Sequence, residues 1–301
     1  MRKILLTGKN GQIGWELQRT LAPLGQLVTV DQQEMDLTDP DSIRRVIRQV
    51  RPSLIVNAAA YTAVDKAESE PDQAMAVNGV APAIMAEEAK RLNAAIVHYS
   101  TDYVFDGSKK DPYNEDDVPK PLNVYGQTKL AGERAIQAVG VPHLILRTSW
   151  VYAARGKNFL LTILKLASEK SELKVVNDQR GAPTWSRMLA EVTSQMLASY
   201  YSPVCRQAGA VADFTGLYHV VSGGKTTWHG FAGEILETAS RVTPHTLPKL
   251  IPISTADYPL PAIRPRNSCL SNEKLIRTYG LAIPSWEKSL SLCLQEMTKS
   301  P

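Results

Sequence analysis

A short apolar run at residues 4–6 leads directly into Thr7-Gly8-Lys9-Asn10-Gly11-Gln12-Ile13-Gly14, and a helical pattern follows. This Gly-x-x-Gly-x-x-Gly spacing constrains the fold more than any other feature of the chain. Glycine lets the backbone turn tightly and approach a phosphate closely, and a helix N-terminus favours the negative charge. The bare pattern also occurs in structural turns. Its position, with a strand before and a helix after, is the context a dinucleotide-binding loop requires. Gly8, Gly11, Gln12, Ile13 and Gly14 are therefore expected at a cofactor.

The next 140 or so residues continue the alternation. Apolar runs at 27–30, 53–56, 95–98 and 144–146 read as buried strands. Helical spacing appears at 15–21, 42–50, 74–92 and 122–139. Asp39-Pro40-Asp41-Ser42 is a helix start, with proline early and acids near the positive end. Repeated βα units predict an α/β fold, a Rossmann-type doubly wound parallel sheet with right-handed crossovers. Beyond Arg147 the regularity fades. The spacing there predicts strands at 173–176 and 216–221 and helices at 184–200, 227–240 and 286–297. It also predicts a turn at 178–183, a surface loop over 202–214 and an extended loop over 244–265. Residues 1–150 are expected to form the dinucleotide-binding core. Residues 151–301 are expected to form mainly a smaller substrate-binding lobe, with segments returning to the core.

Composition narrows the class. The 301 residues are 44% hydrophobic and 21% charged, which is ordinary for a globular protein. A net charge of +4 spread along the chain, with no Lys/Arg run, argues against a nucleic-acid polymer as partner. No apolar segment is long enough to span a membrane. Cys205, Cys269 and Cys293 are far apart and fit neither a disulfide framework nor a zinc site, so a reducing cytoplasm is the expected setting.

The chemistry-bearing residues fall at strand ends. Asp31 follows the second strand about 20 residues after the glycines, where an acid accepts from an adenosine ribose hydroxyl. It is equally a turn residue, and Lys9 and Arg19 are cations available to a 2′-phosphate, so NADPH and NADH both stay open. Asp36-Leu37 lies near the adenine or in a simple turn. Asn57-Ala58-Ala59-Ala60-Tyr61-Thr62 offers small residues beside a flat cofactor. Asp65 either faces the pocket or pairs with Lys66. Thr101 and Asp102 emerge at the same sheet edge as the glycines. His98 and Tyr99 read as packed strand residues. Tyr125 and Lys129 share one helix face, where an ammonium lowers the pKa of a phenol otherwise near 10. Trp150 is placed to stack on a base or sugar or to fill the core. Arg264 and Arg266 are either diphosphate ligands or loop arginines.

Several longer segments carry a resemblance: residues 8–17, 57–70, 99–107, 121–126, 147–152, 177–184 and 217–219. Together they resemble the dTDP-4-dehydrorhamnose reductase family of extended short-chain dehydrogenases/reductases, over essentially the whole chain. The resemblance implies reduction of the C4 ketone of dTDP-4-dehydro-β-L-rhamnose, the last step of dTDP-rhamnose biosynthesis, with NADPH or NADH. It makes Tyr125 the proton donor and gives Lys129 the nicotinamide ribose and the tuning of Tyr125. Thr101 would hold the sugar oxygen, and Asp102 and Trp150 would line the sugar site. Gly11, Gln12, Ile13, Asp31, Asp36, Leu37, Ala60, Tyr61 and Thr62 would line the cofactor, with Ala58 beside them.

Two other readings use the same scaffold. A nucleotide-sugar dehydratase usually has a second carboxylic acid after the Thr-Asp, where this chain has Tyr103. An epimerase regenerates its cofactor. A non-catalytic NADP-binding regulatory subunit need not keep Thr101, Tyr125 and Lys129. Some family members also hold Mg²⁺ through carboxylates at a dimer interface. Glu16 and Glu296 match two of those positions and Arg187 stands at the third, so no metal is expected and the chain is either a monomer or a homodimer.

Overall fold

The computed structural model describes residues 2–202, 214–242 and 247–299. Its centre is a six-stranded, all-parallel sheet. The strands are β1 (Lys3–Thr7), β2 (Gln26–Val30), β3 (Leu54–Asn57), β4 (Ala95–Thr101), β5 (His143–Thr148) and β6 (Thr215–His219). Their spatial order is β2-β1-β3-β4-β5-β6, so the chain reverses direction across the sheet between β1 and β3. Ligands of doubly wound sheets bind in the crevice that such a switch opens at the strands' carboxyl ends.

Side chains alternate between the two faces of a strand, and here both faces are covered. Ile4, Leu6, Leu54, Val56, Val97, Leu144 and Leu146 join one core with residues of α1 (Gln12–Thr20). Leu5, Ile55, Ile96 and Ile145 face the opposite core, built with α2 (Pro40–Val50), α3 (Ala81–Arg91) and α4 (Val124–Val139). Near-continuous apolar runs in the sequence reflect this double burial. Helix α2 starts as its sequence dictates: Asp39 caps it by accepting from the Asp41 N–H, and Pro40 takes the first turn. The helical spacing over 74–92 lies in one continuous helical run, residues 71–91, with a π-turn inside it. The run comprises Pro71–Met75, the π-turn at Ala76–Val80, and α3.

The C-terminal part contributes β6 to the sheet edge and α6 (Ser186–Tyr201) to the α1 face. Before α6 the chain forms α5 (Phe159–Glu169), which the sequence reading did not anticipate, and after β6 come α7 (Trp228–Val242) and α8 (Trp286–Lys299). Helices α5, α7 and α8 enclose a third core around Tyr152, Trp185, Phe231 and Trp286. The stretch expected as an extended loop over 244–265 contains a strand, Lys249–Ile253, paired in parallel with Glu172–Val176. Pro252 fits there because that ladder has only two strands and leaves an unpaired edge. The expected turn at 178–183 contains Arg180–Gly181, which pairs with Thr226–Thr227. The loop expected over 202–214 falls largely on residues outside those described, as does Cys205. Cys269 and Cys293 are buried free thiols.

Helix α4 is fastened to the sheet by a buried charge cluster. Arg147 of β5 donates to Glu133 through Nε (2.9 Å) and Nη2 (2.6 Å), and the Ser100 hydroxyl donates to the same carboxylate. Both charged side chains are nearly inaccessible to solvent. Removing one charge from such a pair strands the other in a low-dielectric site. Glu133→Gln is therefore expected to lower unfolding free energy by about 3 kcal/mol, read from urea denaturation midpoints. A loss below about 0.5 kcal/mol would refute the clamp.

Candidate active site

A cleft of ≈ 870 Å³ opens at the carboxyl ends of β1, β3 and β4. The glycine turn forms its floor. Gly8 sits at φ +71°, and a Cβ there would press on the Ala59 backbone at 2.9 Å. Gly11, Gln12 and Ile13 line the cleft as anticipated. Gly14 does not: it is buried behind the wall, and a Cβ on it would collide with the Gly8 carbonyl. It is the glycine that allows close helix–strand packing, the third role in such loops. A Cβ-free cradle at a helix start fits a pyrophosphate. Gln12 is steadied by a residue far along the chain, Asn158, whose Nδ2 donates to its Oε1 (3.1 Å).

The opposite wall follows β2 and β3. Asp31, Asp36 and Leu37 line the cleft, as do Ala58, Ala60, Tyr61 and Thr62. Asp31 accepts from the Gln33 N–H (3.0 Å) and from Asn10 Nδ2 (2.9 Å). The Gln33 N–H is the main reason its carboxyl lies below the usual carboxylate value, and Lys9 adds to the effect. Lys9 itself is held by Glu34 at 2.5 Å. Arg19 lies over the Trp15 ring and donates to the Trp15 carbonyl (3.0 Å). Tyr61 is fixed by a residue the sequence reading missed. The Asn78 amide, in the π-turn, accepts the Tyr61 N–H (2.9 Å) and donates to the Tyr61 carbonyl (3.1 Å) and to Thr128 Oγ1 (3.2 Å). π-turns gather at functional sites, but nothing in the local sequence marks one.

The third wall holds the reactive groups. Thr101 ends β4, accepts the Tyr103 N–H (3.2 Å) and donates to Asp102 Oδ1 (3.1 Å). Tyr125 and Lys129 enter on α4, whose first turn is capped by Asn123 accepting the Gly126 N–H (2.8 Å). The Tyr125 phenol faces the Thr101 hydroxyl, which acts to lower its pKa, and its ring meets Tyr103 edge-on at 5.5 Å. The expected lowering of the Tyr125 pKa does not occur in this structure. Burial and the neighbouring Asp102 carboxyl push it up to about 12, against a smaller opposing effect of Thr101. The physical reason is the direction of Lys129, whose Nζ donates to the Tyr99 carbonyl (2.6 Å) and lies 3.2 Å from His98 Nε2. Burial holds Lys129 down at about 8, opposed by Glu133.

Trp150 lines the cleft in a left-handed conformation, φ +48°, with its ring stacked on Trp228 at 3.6 Å. Trp228 went unnoticed in the sequence, as did Arg155 and Lys157, which bring cations to the cleft beside the glycine turn. Arg264 is not free for a diphosphate. It grips Asp65 with both terminal nitrogens (2.5 and 2.6 Å), so Asp65 pairs with a residue far along the chain rather than with Lys66, which binds Glu70 (2.7 Å). Where Arg187 argued against a metal in the sequence, its guanidinium pairs with Glu296 (2.8 Å) and Glu191 (3.3 Å). A guanidinium in that set does not fit a divalent cation.

Burial pushes Asp102 up to about 6, while the Ser268 and Thr101 hydroxyls pull the other way. A carboxyl that holds its proton more tightly when folded loses stability as pH rises from the unfolded value near 4 through 6. Asp102→Asn is expected to gain about 2 kcal/mol of stability over the parent at pH 7.5, with the gain gone below about pH 4, measured by denaturant unfolding at both pH values. At the ribose end, Asp31→Ala is expected to raise the NADPH-over-NADH ratio of kcat/KM about tenfold, by removing a carboxylate that repels a 2′-phosphate.

Comparison with known proteins agrees with this geometry. The family model described as RmlD substrate binding domain matches residues 1–299. The dTDP-4-dehydrorhamnose reductase of Burkholderia thailandensis is 48% identical over 298 residues, 98% of this chain and 99% of the relative. Among solved structures, the dTDP-4-dehydrorhamnose reductase of Clostridium acetobutylicum superposes with a TM-score of 0.88 at 35% identity, covering 98% of this chain and 99% of that one. The Bacillus anthracis reductase, solved in complex with NADP, also gives 0.88, at 33% identity over 98% of this chain and 100% of that one. With these matches spanning nearly its whole length, the chain belongs to the dTDP-4-dehydrorhamnose reductase family.

Proposed function

We propose that this chain reduces the C4 ketone of dTDP-4-dehydro-β-L-rhamnose to dTDP-L-rhamnose, using NADPH or NADH. The observation that carries the proposal is the continuity of one cleft: the glycine turn and the Thr101, Asp102, Tyr125, Lys129 and Trp150 side chains line the same wall system. Gly8, Gly11, Gln12, Ile13, Asp31, Asp36, Leu37, Ala58, Ala60, Tyr61 and Thr62 are the residues assigned to the dinucleotide, with Gly14 supporting the turn from behind. The dinucleotide supplies the hydride when bound.

The rest of the chemistry is assigned to side chains. Thr101 orients the ketone oxygen. Tyr125, whose phenol keeps its proton across the physiological range, gives that proton to the oxygen as negative charge develops on it. Lys129 holds the ribose and places positive charge near the same oxygen. Asp102 and Trp150 contact the sugar, and the stacked Trp150–Trp228 pair offers it an apolar face. Residues 151–301 are assigned mainly to substrate, through the lobe that holds Trp228. No helix among the described residues is long and apolar enough to cross a membrane. The cytoplasm is our assignment for the reaction, on the scattered cysteines that suggest a reducing setting.

Dehydration is disfavoured by a specific contact. The position after Asp102 is Tyr103, whose ring packs on Tyr125 and whose phenol bonds Arg264, so no second carboxyl stands beside the first. The defining assay follows loss of nicotinamide absorbance on adding dTDP-4-dehydro-β-L-rhamnose. Stoichiometric consumption separates a reductase from an epimerase, and absence of turnover would leave a binding subunit. Tyr125→Phe is expected to lower kcat by about 10²- to 10⁴-fold with dinucleotide affinity within about twofold of the parent. Near-parental turnover would remove Tyr125 from the proton-donor role.

A further inference from the structure

On the sheet face that α4 covers, three neighbouring strands carry a row of polar residues, at the ends of β1 and β3 and in the middle of β4. Thr7 is in register with Asn57, and Asn57 with His98. Their side chains connect: the Thr7 hydroxyl donates to Asn57 Oδ1 (2.7 Å), Asn57 Nδ2 lies 3.0 Å from His98 Nδ1, and His98 Nε2 lies 3.2 Å from Lys129 Nζ. All four residues are at most 2% exposed. The inner strands of a doubly covered parallel sheet are normally apolar throughout, and buried polar groups are tolerated only when joined to one another. The row starts at the residue before Gly8, where Thr7 Oγ1 also accepts the Ala59 N–H (3.3 Å), and it ends on Lys129.

We infer that His98 is a positioning residue for Lys129, holding the ammonium in one orientation and, through Asn57 and Thr7, tying it to the base of the glycine turn. The role rests on the reductase reading above. A lysine ammonium has three N–H donors. The Tyr99 carbonyl takes one and the His98 Nε2 lone pair a second, which leaves the third for the cleft. Nε2 accepts only when Nδ1 carries the ring proton. That proton needs the Asn57 amide turned over from the orientation in this structure, so that its oxygen faces His98 and its NH₂ faces Thr7 Oγ1. Amide oxygen and nitrogen are exchanged by a simple rotation, and the hydrogen-bond network decides between them. The opposite tautomer, Nε2–H toward Lys129, suits only an uncharged amine. The His98 tautomer and the Lys129 charge are therefore linked.

Burial, with the Lys129 cation beside it, keeps His98 neutral, far below its ordinary value. The other groups around Lys129 are Tyr125 and Glu133 on its own helix and Arg147 of β5, which Glu133 neutralises. Asp102, from the turn after β4, bears on Tyr125. The acceptor at His98 favours the charged lysine, so its loss lowers the pH at which Lys129 deprotonates.

The test is an NMR titration of the protein labelled with ¹³Cε-lysine, the Lys129 resonance being assigned with Lys129→Arg. His98→Leu is expected to lower the Lys129 midpoint by about one pH unit, as loss of a hydrogen bond to a charged group does. The basic limb of kcat/KM should move with it. His98→Gln, whose amide oxygen accepts, should restore both to within about 0.3 pH unit. Thr7→Val, isosteric and at the far end of the row, should shift the midpoint the same way by less, and it stands in should His98→Leu fail to fold. An unchanged midpoint in the leucine or valine variant, or no restoration by glutamine, would overturn the inference. The titration needs no substrate, so a parent protein without reductase activity but with the expected shifts would sink the functional reading and leave this one standing.

Discussion

The Glu133–Arg147 pair fixes the site by fixing α4. Tyr125, Lys129 and Glu133 are spaced at i, i+4 and i+8, so they share one helix face. Clamping Glu133 to β5 and β4 therefore sets the rotation of the whole helix. The cluster is costly to bury, because two charges leave water. A helix held only by apolar contacts tolerates small slips that a bidentate guanidinium–carboxylate fork does not. Precision at Tyr125 and Lys129 is what a proton donor acting on a positioned ketone needs. Gly132, one residue before the clamp, lets the Asn78 backbone approach the same helix, since a Cβ there would collide with the Asn78 carbonyl. Asn78 in turn fixes the Tyr61 backbone. The cofactor wall and the reactive wall are thus registered against one helix.

A second constraint acts from the C-terminal half. Trp150 adopts a left-handed backbone that is uncommon for a bulky residue and costs of order 1–3 kcal/mol. Its surroundings hold it there. Trp228 stacks on one part of the ring, and Gly181 allows backbone against it, where a Cβ would press within 2.8 Å of Cζ2. Trp228 is itself pinned by donating to Gln179 (3.2 Å), which reaches Thr255 (3.1 Å). Strain at the edge of a cleft, opposed by contacts from three separate segments, is the pattern of a residue kept for what it touches.

The sheet was legible because each inner strand is apolar on both faces: Ile4, Leu5 and Leu6 read as a strand without any alternation, and so do Leu144, Ile145 and Leu146. The glycine turn and the i, i+4 pair were legible because their spacing is local. What escaped is non-local. The π-turn in the helical run over 74–92 follows from Asn78 binding Tyr61 across 17 positions, and Arg264 meets Asp65 across 199. His98 read correctly as a packed strand residue, but local sequence carries no sign that it packs against an ammonium. The short strand Lys249–Ile253 was hidden by Pro252 within it, which is acceptable only because its ladder has a free edge.

The pKa of Tyr125 bears on the direction of the chemistry. Dehydrogenation of an alcohol calls for a phenolate as base, and an ammonium aimed at the phenol would favour it. Here Lys129 is turned to the Tyr99 carbonyl and His98, while burial and Asp102 keep the phenol protonated. A protonated phenol beside Thr101 is prepared to give a proton, and a ketone gaining negative charge is prepared to take one. As the proton leaves, the new phenolate sits near Asp102, a repulsion that is relieved if Asp102 itself carries a proton. Asp102 titrates at about 6, so acidification within a unit or so of neutrality eases the step that reduction requires and opposes the reverse.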